Sequence, residues 1–301
     1  MAEITTRRTG ELLRKLFEIL KKYPEGLRAN IALETLASSV DLTAHEAGMY
    51  TNGDNSTRRF EKIVRFATVD CVKAGWLIKQ KGTWTLTEDG LQAYERMKDP
   101  EEFHRAARRL YQQWKSQNRN DTPEKTLEIE DETVEQTSTI SYDQAEEQAW
   151  NDIERFLKGM NPYEFQELVA NLLEGMGYYV SWISPPGKDG GIDIIAHPDP
   201  LGTQSPRLKV QVKRHTETRV DQPTVQSFIS TINENDAGVF VCTSGFTRDA
   251  ENYARSQERR KIMLLDFESF TDLWIDFHDK LDDAARSKFP LTPIYFLTPK
   301  K

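Results

Sequence analysis

The strongest constraint on the fold lies between Pro162 and Asp266, where helix-like and strand-like runs alternate. Phe165, Leu168, Val169, Leu172 and Leu173 recur at helical spacing, and Gly175 and Gly177 mark where that helix stops. Strand-like runs follow at 178–184, 192–197 and 208–213, with the Gly-rich turn 185–191 between the first two. A helix near 222–233, a strand at 238–242, a helix near 247–258 and a strand at 262–266 complete the series. The order α-β-β-β-α-β-α-β predicts an α/β fold, a mixed sheet flanked by helices.

Within that sheet one side chain is out of place. Asp193 sits in the run Gly191-Ile192-Asp193-Ile194-Ile195. A carboxylate inside a strand is costly unless something binds it, and a metal ion or a lysine would do so. In Lys209-Val210-Gln211-Val212-Lys213, the period of two puts Lys209, Gln211 and Lys213 on one face and the valines on the other. A hairpin between the two strands would bring Asp193, Gln211 and Lys213 together. Asp193 could also cap the turn or pair with Lys213, and Gln211 could be an ordinary strand residue. Asp189 in the turn could stabilise it or bind metal.

The first region reads differently. Leu12, Leu13, Leu16, Phe17 and Leu20 form a helical stripe, and a second short helix falls around 31–40. After a loop at 52–55, Ser56 or Thr57 would cap a long helix with the apolar face Phe60, Ile63, Val64, Ala67 and Cys71. Two β-rich runs around Lys81-Gly82 then read as a hairpin. Helix, helix, helix, hairpin is the order of a winged helix, whose third helix enters a major groove. Arg58, Lys62 and Arg65 fall opposite that helix's core face, either as phosphate contacts or as a solvated stripe.

These readings divide the chain into a winged-helix DNA-binding domain at 1–98, a helical then acidic linker at 99–144, and a second domain at 145–301. Charge supports the division. Residues 121–154 hold twelve acids and one base, a net −11, while the whole chain is at −8, so the other 267 residues carry +3. The acidity is local and does not exclude DNA as a partner. No run of 18 apolar residues predicts a membrane span, and no apolar segment follows the N-terminus as a secretory signal would require. Cys71 and Cys242 are the only cysteines; they cannot build a zinc site and read as buried thiols of a cytoplasmic protein.

The run Gly-Lys-Asp-Gly-Gly-Ile-Asp-Ile-Ile-Ala (187–196), followed after seventeen residues beyond Asp193 by Gln211-Val212-Lys213, resembles the catalytic core of the Mrr restriction endonuclease family. That family is a branch of the PD-(D/E)xK nucleases in which Gln often replaces the central acid. Residues 165–178 and 238–247 share the likeness, and Trp-Thr-Leu-Thr-Glu-Asp-Gly (84–90) is similar to the family's N-terminal winged-helix domain. The resemblance implies a restriction-endonuclease-like sheet and a Mg²⁺-dependent DNA endonuclease that restricts foreign or methylated DNA. Asp193, the Gln211 side chain and the Val212 carbonyl would hold one Mg²⁺, and Lys213 would orient water or neutralise the phosphorane.

The family often carries a first-helix glutamate where this chain has Gln166. On a wheel of about 100° per residue, Gln166 lies at the edge of the buried face and Glu167 points away. Gln166 is therefore the fourth catalytic candidate. His197 and His215 flank the two active strands and read as surface or DNA-contacting residues. Thr243 and Ser244, at a strand end, suit either a phosphate contact or a turn. Cutting duplex DNA with one active site per chain implies a homo-oligomer, a dimer or tetramer. The alternatives are a catalytically weak or inactive DNA-binding regulator of defence, and a structure-specific nuclease.

Overall fold

A computed structural model describes residues 4–52, 55–117, 128–185, 187, 191–214 and 218–296. It resolves into two compact units, residues 1–151 with 295–301, and residues 152–294.

The first unit runs α1 (Thr6–Leu20), β1 (Leu27–Arg28), α2 (Ala29–Ser39), α3 (Ala44–Ala47), β2 (Met49–Asn52), β3 (Asn55–Arg58), α4 (Arg59–Lys73), β4 (Leu77–Gln80), β5 (Thr83–Leu86), α5 (Glu88–Arg96) and α6 (Pro100–Gln117). Every residue of the α1 stripe is buried, and it meets Leu33, Leu36, Phe60, Val64 and Trp84 in one core. The β4–β5 hairpin turns at Lys81-Gly82, where both residues have positive φ (51° and 72°), as a two-residue turn demands. β1 pairs with β5 to give the sheet order β1-β5-β4.

Three expectations are corrected here. Ser56 and Thr57 do not cap α4; they lie in β3, which pairs antiparallel with β2, and the helix begins at Arg59. At the helix start the Arg59 N–H donates to the Gly48 carbonyl at 2.9 Å, and among the described residues no side chain caps the helix. Gly53 and Asp54 lie outside the described residues. The helical start of the expected linker is α6, and it belongs to the domain. Its Phe103 is fully buried, with ring centroids 5.1 Å from Phe17 and 5.0 Å from Trp76. The acidic stretch, too, becomes helical at Glu128, as α7 (Glu128–Gly159). Ile140, Trp150 and Leu157 are buried along it, and its carboxylates find cations that composition alone does not reveal.

The second unit runs α8 (Pro162–Gly175), β6 (Tyr179–Ile183), β7 (Ile194–His197), β8 (Arg207–Lys213), α9 (Gln222–Ser230), β9 (Asp236–Cys242), α10 (Arg248–Arg255), β10 (Lys261–Leu265), α11 (Phe267–Asp276) and α12 (Asp283–Lys288). The five-stranded sheet has the order β10-β9-β8-β7-β6. β6, β7 and β8 pair antiparallel, whereas β8, β9 and β10 pair parallel. This is the mixed sheet that the alternation predicts. α8 packs against β6–β8, and α9, α10 and α11 against β9 and β10.

α8 starts with a capping box between Asn161 and Glu164 and ends on Gly177, whose φ is 93°. A Cβ at 177 would meet nothing within 4 Å, so the requirement for glycine is purely conformational. Gly177→Ala is expected to lower unfolding free energy by about 1–2 kcal/mol, read as a lower denaturant midpoint with an unchanged m-value.

Candidate active site

The central strands bring three of the expected residues to one end of the sheet. β7 pairs with β8 with Ile194 opposite Val210, and one step further sets Asp193 opposite Gln211. The Asp193 N–H donates to the Val210 carbonyl at 2.8 Å, and its own carbonyl accepts from Ser184 N–H at 2.8 Å. The Asp193 side chain is only 6% exposed, and its Oδ2 accepts the Val212 N–H at 2.7 Å. This bond compensates part of the cost of burying a carboxylate. In a strand, a residue's N–H and C=O point to the same side, so the Val212 carbonyl faces the side on which Asp193 sits. On the opposite edge, β8 is paired with β9 through to Lys213 and Cys242.

Burial along β8 alternates as its sequence implies. Leu208 and Val210 are buried, whereas Lys209, Gln211 and Lys213 are half-buried on the other face. Lys209 is committed structurally, donating to the Thr231 carbonyl at 2.7 Å and pairing with Asp236 at 3.2 Å. Gln211 and Lys213 differ. The Gln211 amide makes no hydrogen bond among the described residues, and Gly191 lies close beside it. Lys213 forms no ion pair among the described residues, and its Nζ lies 5.8 Å from the centroid of the Phe240 ring. Its charge helps hold the Asp221 carboxyl below the usual range, behind the larger effect of hydrogen bonds from Thr224. Lys213 thus lies at the C-terminal end of β8, the central strand of the sheet.

Gln166 on α8 is 6% exposed. Its amide nitrogen donates to the Ser184 carbonyl at 2.9 Å and to the Asp193 carbonyl at 3.4 Å. Two carbonyls at that end fix which amide atom is nitrogen. The oxygen accepts no hydrogen bond among the described residues. Glu167 turns the other way and pairs with Lys288 at 3.0 Å on the surface. Gln166 thus braces the backbone that carries Asp193. Gln166→Leu removes the donor to the Ser184 carbonyl, while the Asp193 carbonyl keeps the Ser184 N–H; at about 1–3 kcal/mol for a buried group left unpaired, it is expected to lower both the melting temperature and cleavage.

The remaining candidates separate. Ser244 donates to the Thr218 carbonyl at 2.6 Å and so holds a turn. His197 is half-buried against Gly202. Asp189 and His215 lie outside the described residues. Among the described residues no three His, Cys, Asp or Glu side chains converge as a metal cluster. A cation site here would have one carboxylate, Asp193, with the neutral oxygens of Gln211 and Val212. An all-oxygen set of this kind fits a hard divalent ion.

The basic stripe on α4 is not the open surface that the wheel suggests. Arg58 pairs with Glu61 at 2.7 Å. Lys62 is half-buried beside Phe66 and lines a cavity of about 400 Å³ with Arg59, Asp70, His104 and Arg108. Arg65 is 7% exposed and bonds through Nη2 to Glu147 Oε2 at 2.7 Å. The correction has a simple cause: α6 and α7 both cover flanks of α4, and the wheel accounted for neither. A sequence signal existed in Asp143, Glu146 and Glu147, which share one face of a helix at i, i+3 and i+4.

Two family models match this chain. The model described as "Restriction endonuclease" covers residues 157–274, and that of the "Mrr N-terminal domain" covers residues 10–96. Over 124 residues the chain is 34% identical to the type IV methyl-directed restriction enzyme EcoKMrr of Escherichia coli (strain K12). That match covers 39% of this chain and 39% of the relative, so it spans about two fifths of the relative's length. A solved structure of MspJI restriction endonuclease in complex with a 27-mer oligonucleotide aligns with 68% of this chain and 47% of its own, at 16% identity and a TM-score of 0.36, too weak a likeness to assign a fold. With both Mrr domain models matched in order over about two thirds of its length, the chain belongs to the Mrr restriction endonuclease family.

Proposed function

We propose that the protein is a metal-dependent DNA endonuclease that hydrolyses phosphodiester bonds in modified, particularly methylated, duplex DNA. One observation carries the reading: a buried carboxylate, Asp193, held by the Val212 N–H at one end of the central strands, with Gln211 and Lys213 on the same strand as Val212 and without a hydrogen bond or ion pair among the described residues. Kinship with the methyl-directed enzyme adds the substrate class.

Asp193, the Gln211 amide oxygen and the Val212 carbonyl are the residues that would hold Mg²⁺. Bound there, the ion supplies Lewis-acid stabilisation of charge on the scissile phosphate. The chain's own groups do the rest. The Val212 N–H orients the Asp193 carboxylate. Gln166 fixes the backbone on which that carboxylate is carried. Lys213 places a positive charge where negative charge grows on the phosphate, and it orients the attacking water. One such site cuts one strand, so the working form for duplex cleavage is a homo-oligomer, a dimer or tetramer. Both cysteines are free and buried, which suits a reducing cytoplasm. No described helix is long and apolar enough to cross a membrane.

The test is cleavage of plasmid DNA carrying methylcytosine, hydroxymethylcytosine or no modification, with Mg²⁺ and with a chelator. Cutting confined to modified DNA and abolished by the chelator is the expected result. Cutting of every substrate alike would remove the modification dependence. DNA binding without cutting in any metal would overturn the nuclease assignment.

A further inference from the structure

The ridge between α4 and the β4–β5 hairpin carries Arg65, Lys79 and Lys81, and α7 lies on it. Two of its carboxylates pair with Arg65 and Lys79, and a third accepts a backbone N–H at Lys81. Glu147 takes Arg65 at 2.7 Å and also accepts the indole N–H of Trp84 at 3.0 Å. Asp143 takes Lys79 at 3.0 Å. Glu146 accepts the backbone N–H of Lys81, and the Lys81 ammonium lies over the Trp150 ring, 5.1 Å from its centroid. Asp143, Glu146 and Glu147 sit at i, i+3 and i+4, so a single helical face supplies all three.

The fit is incomplete. Arg65 is more than nine-tenths buried, yet among the described residues its Nε and Nη1 have no hydrogen-bond partner, and only Nη2 meets a carboxylate oxygen. A guanidinium is a fork that takes two oxygens of one anion side by side, as a phosphate presents them. Burial also lowers the pKa of the Lys79 ammonium despite Asp143 beside it. It raises that of the Glu146 carboxyl, with Asp143 adding to the rise. Burial thus disfavours the charged form of both groups under the docked helix.

We propose that the α4–hairpin ridge of Arg65, Lys79 and Lys81 is the surface that receives the DNA backbone, and that α7 rests on it as a resident phosphate mimic which DNA must displace. The inference builds on the DNA-cleaving reading above, and it assigns the ridge, not the open side of α4, as the backbone-binding face. In this arrangement each carboxylate of α7 stands where a phosphate oxygen is to go. The helix therefore sets a threshold for binding: short or weakly held DNA leaves it in place, and DNA that engages the ridge removes it.

The test uses the full chain and the double variant Asp143→Asn with Glu147→Gln. Both changes keep side-chain shape, and the glutamine keeps an oxygen for the Trp84 indole. Affinity for a methylated duplex at low salt is expected to rise at least tenfold, with a steeper fall as salt increases, because cations no longer neutralised internally pair with phosphates. Hydrogen exchange of the wild-type chain supplies a second reading. The amides of 143–150 are expected to exchange faster once DNA is added. Equal affinity of wild type and variant, or unchanged exchange in 143–150 while DNA is bound, would overturn the mimic. A variant that melts early and binds more weakly would show α7 to be merely structural and would overturn it too. If neither protein binds DNA at low salt, the nucleic-acid reading itself fails, an outcome distinct from the others.

Discussion

Asp193→Asn is expected to abolish cleavage, by roughly 10³-fold or more, and to leave the fold intact. The two effects separate because the carboxylate has two jobs. Its Oδ2 accepts the Val212 N–H at 2.7 Å, which an asparagine oxygen can also do in nearly the same volume. Its charge is what a divalent cation needs, and asparagine does not supply it. Removing several kcal/mol of cation-mediated stabilisation corresponds to a thousandfold at about 1.4 kcal/mol per decade. Stability should change by less than about 1 kcal/mol. A melting curve beside single-turnover cleavage of a methylated duplex checks both halves. Cleavage within threefold of wild type would remove Asp193 from the site.

Lys213→Met is expected to cost roughly 10²–10³ in cleavage rate, as does the loss of one preorganised group that stabilises transition-state charge. Methionine keeps an unbranched stem beside Phe240 and removes only the ammonium, which forms no ion pair among the described residues. Because no native pair is broken, stability should hold. DNA affinity should fall far less than the rate, since the charge acts on the reacting phosphate. Rates and binding constants of the variant, measured on the same duplex, separate these effects. A fall in affinity equal to the fall in rate would make Lys213 a backbone contact and not part of the chemistry.

What the sequence revealed and what it hid follow one rule. Periods of two and of 3.6 residues report which face a side chain takes within its own element. The alternation of Lys209, Gln211 and Lys213 with Leu208 and Val210 was therefore legible, as was the position of Gln166 against that of Glu167. Asp193 stood out because an acid in an isoleucine run needs a reason. Contacts between distant elements leave no such trace. Arg65 and Glu147 are 82 positions apart, and a wheel drawn on α4 alone left Arg65 exposed. Likewise the burial of Phe103 against Phe17 depends on where α6 docks, so a sequence divided by composition placed α6 in a linker. Ser56 and Thr57 are good caps and adequate strand residues, and pairing of β3 with β2 decided between the two.

The central claim is that Asp193, Gln211 and Val212 hold one divalent cation. Calorimetric titration of Mn²⁺ into the wild-type chain and into Asp193→Asn, in the presence of uncleaved duplex, tests it most directly. The account predicts one ion per chain in the wild type and none at the same concentrations in the variant. Equal binding by both proteins would contradict it.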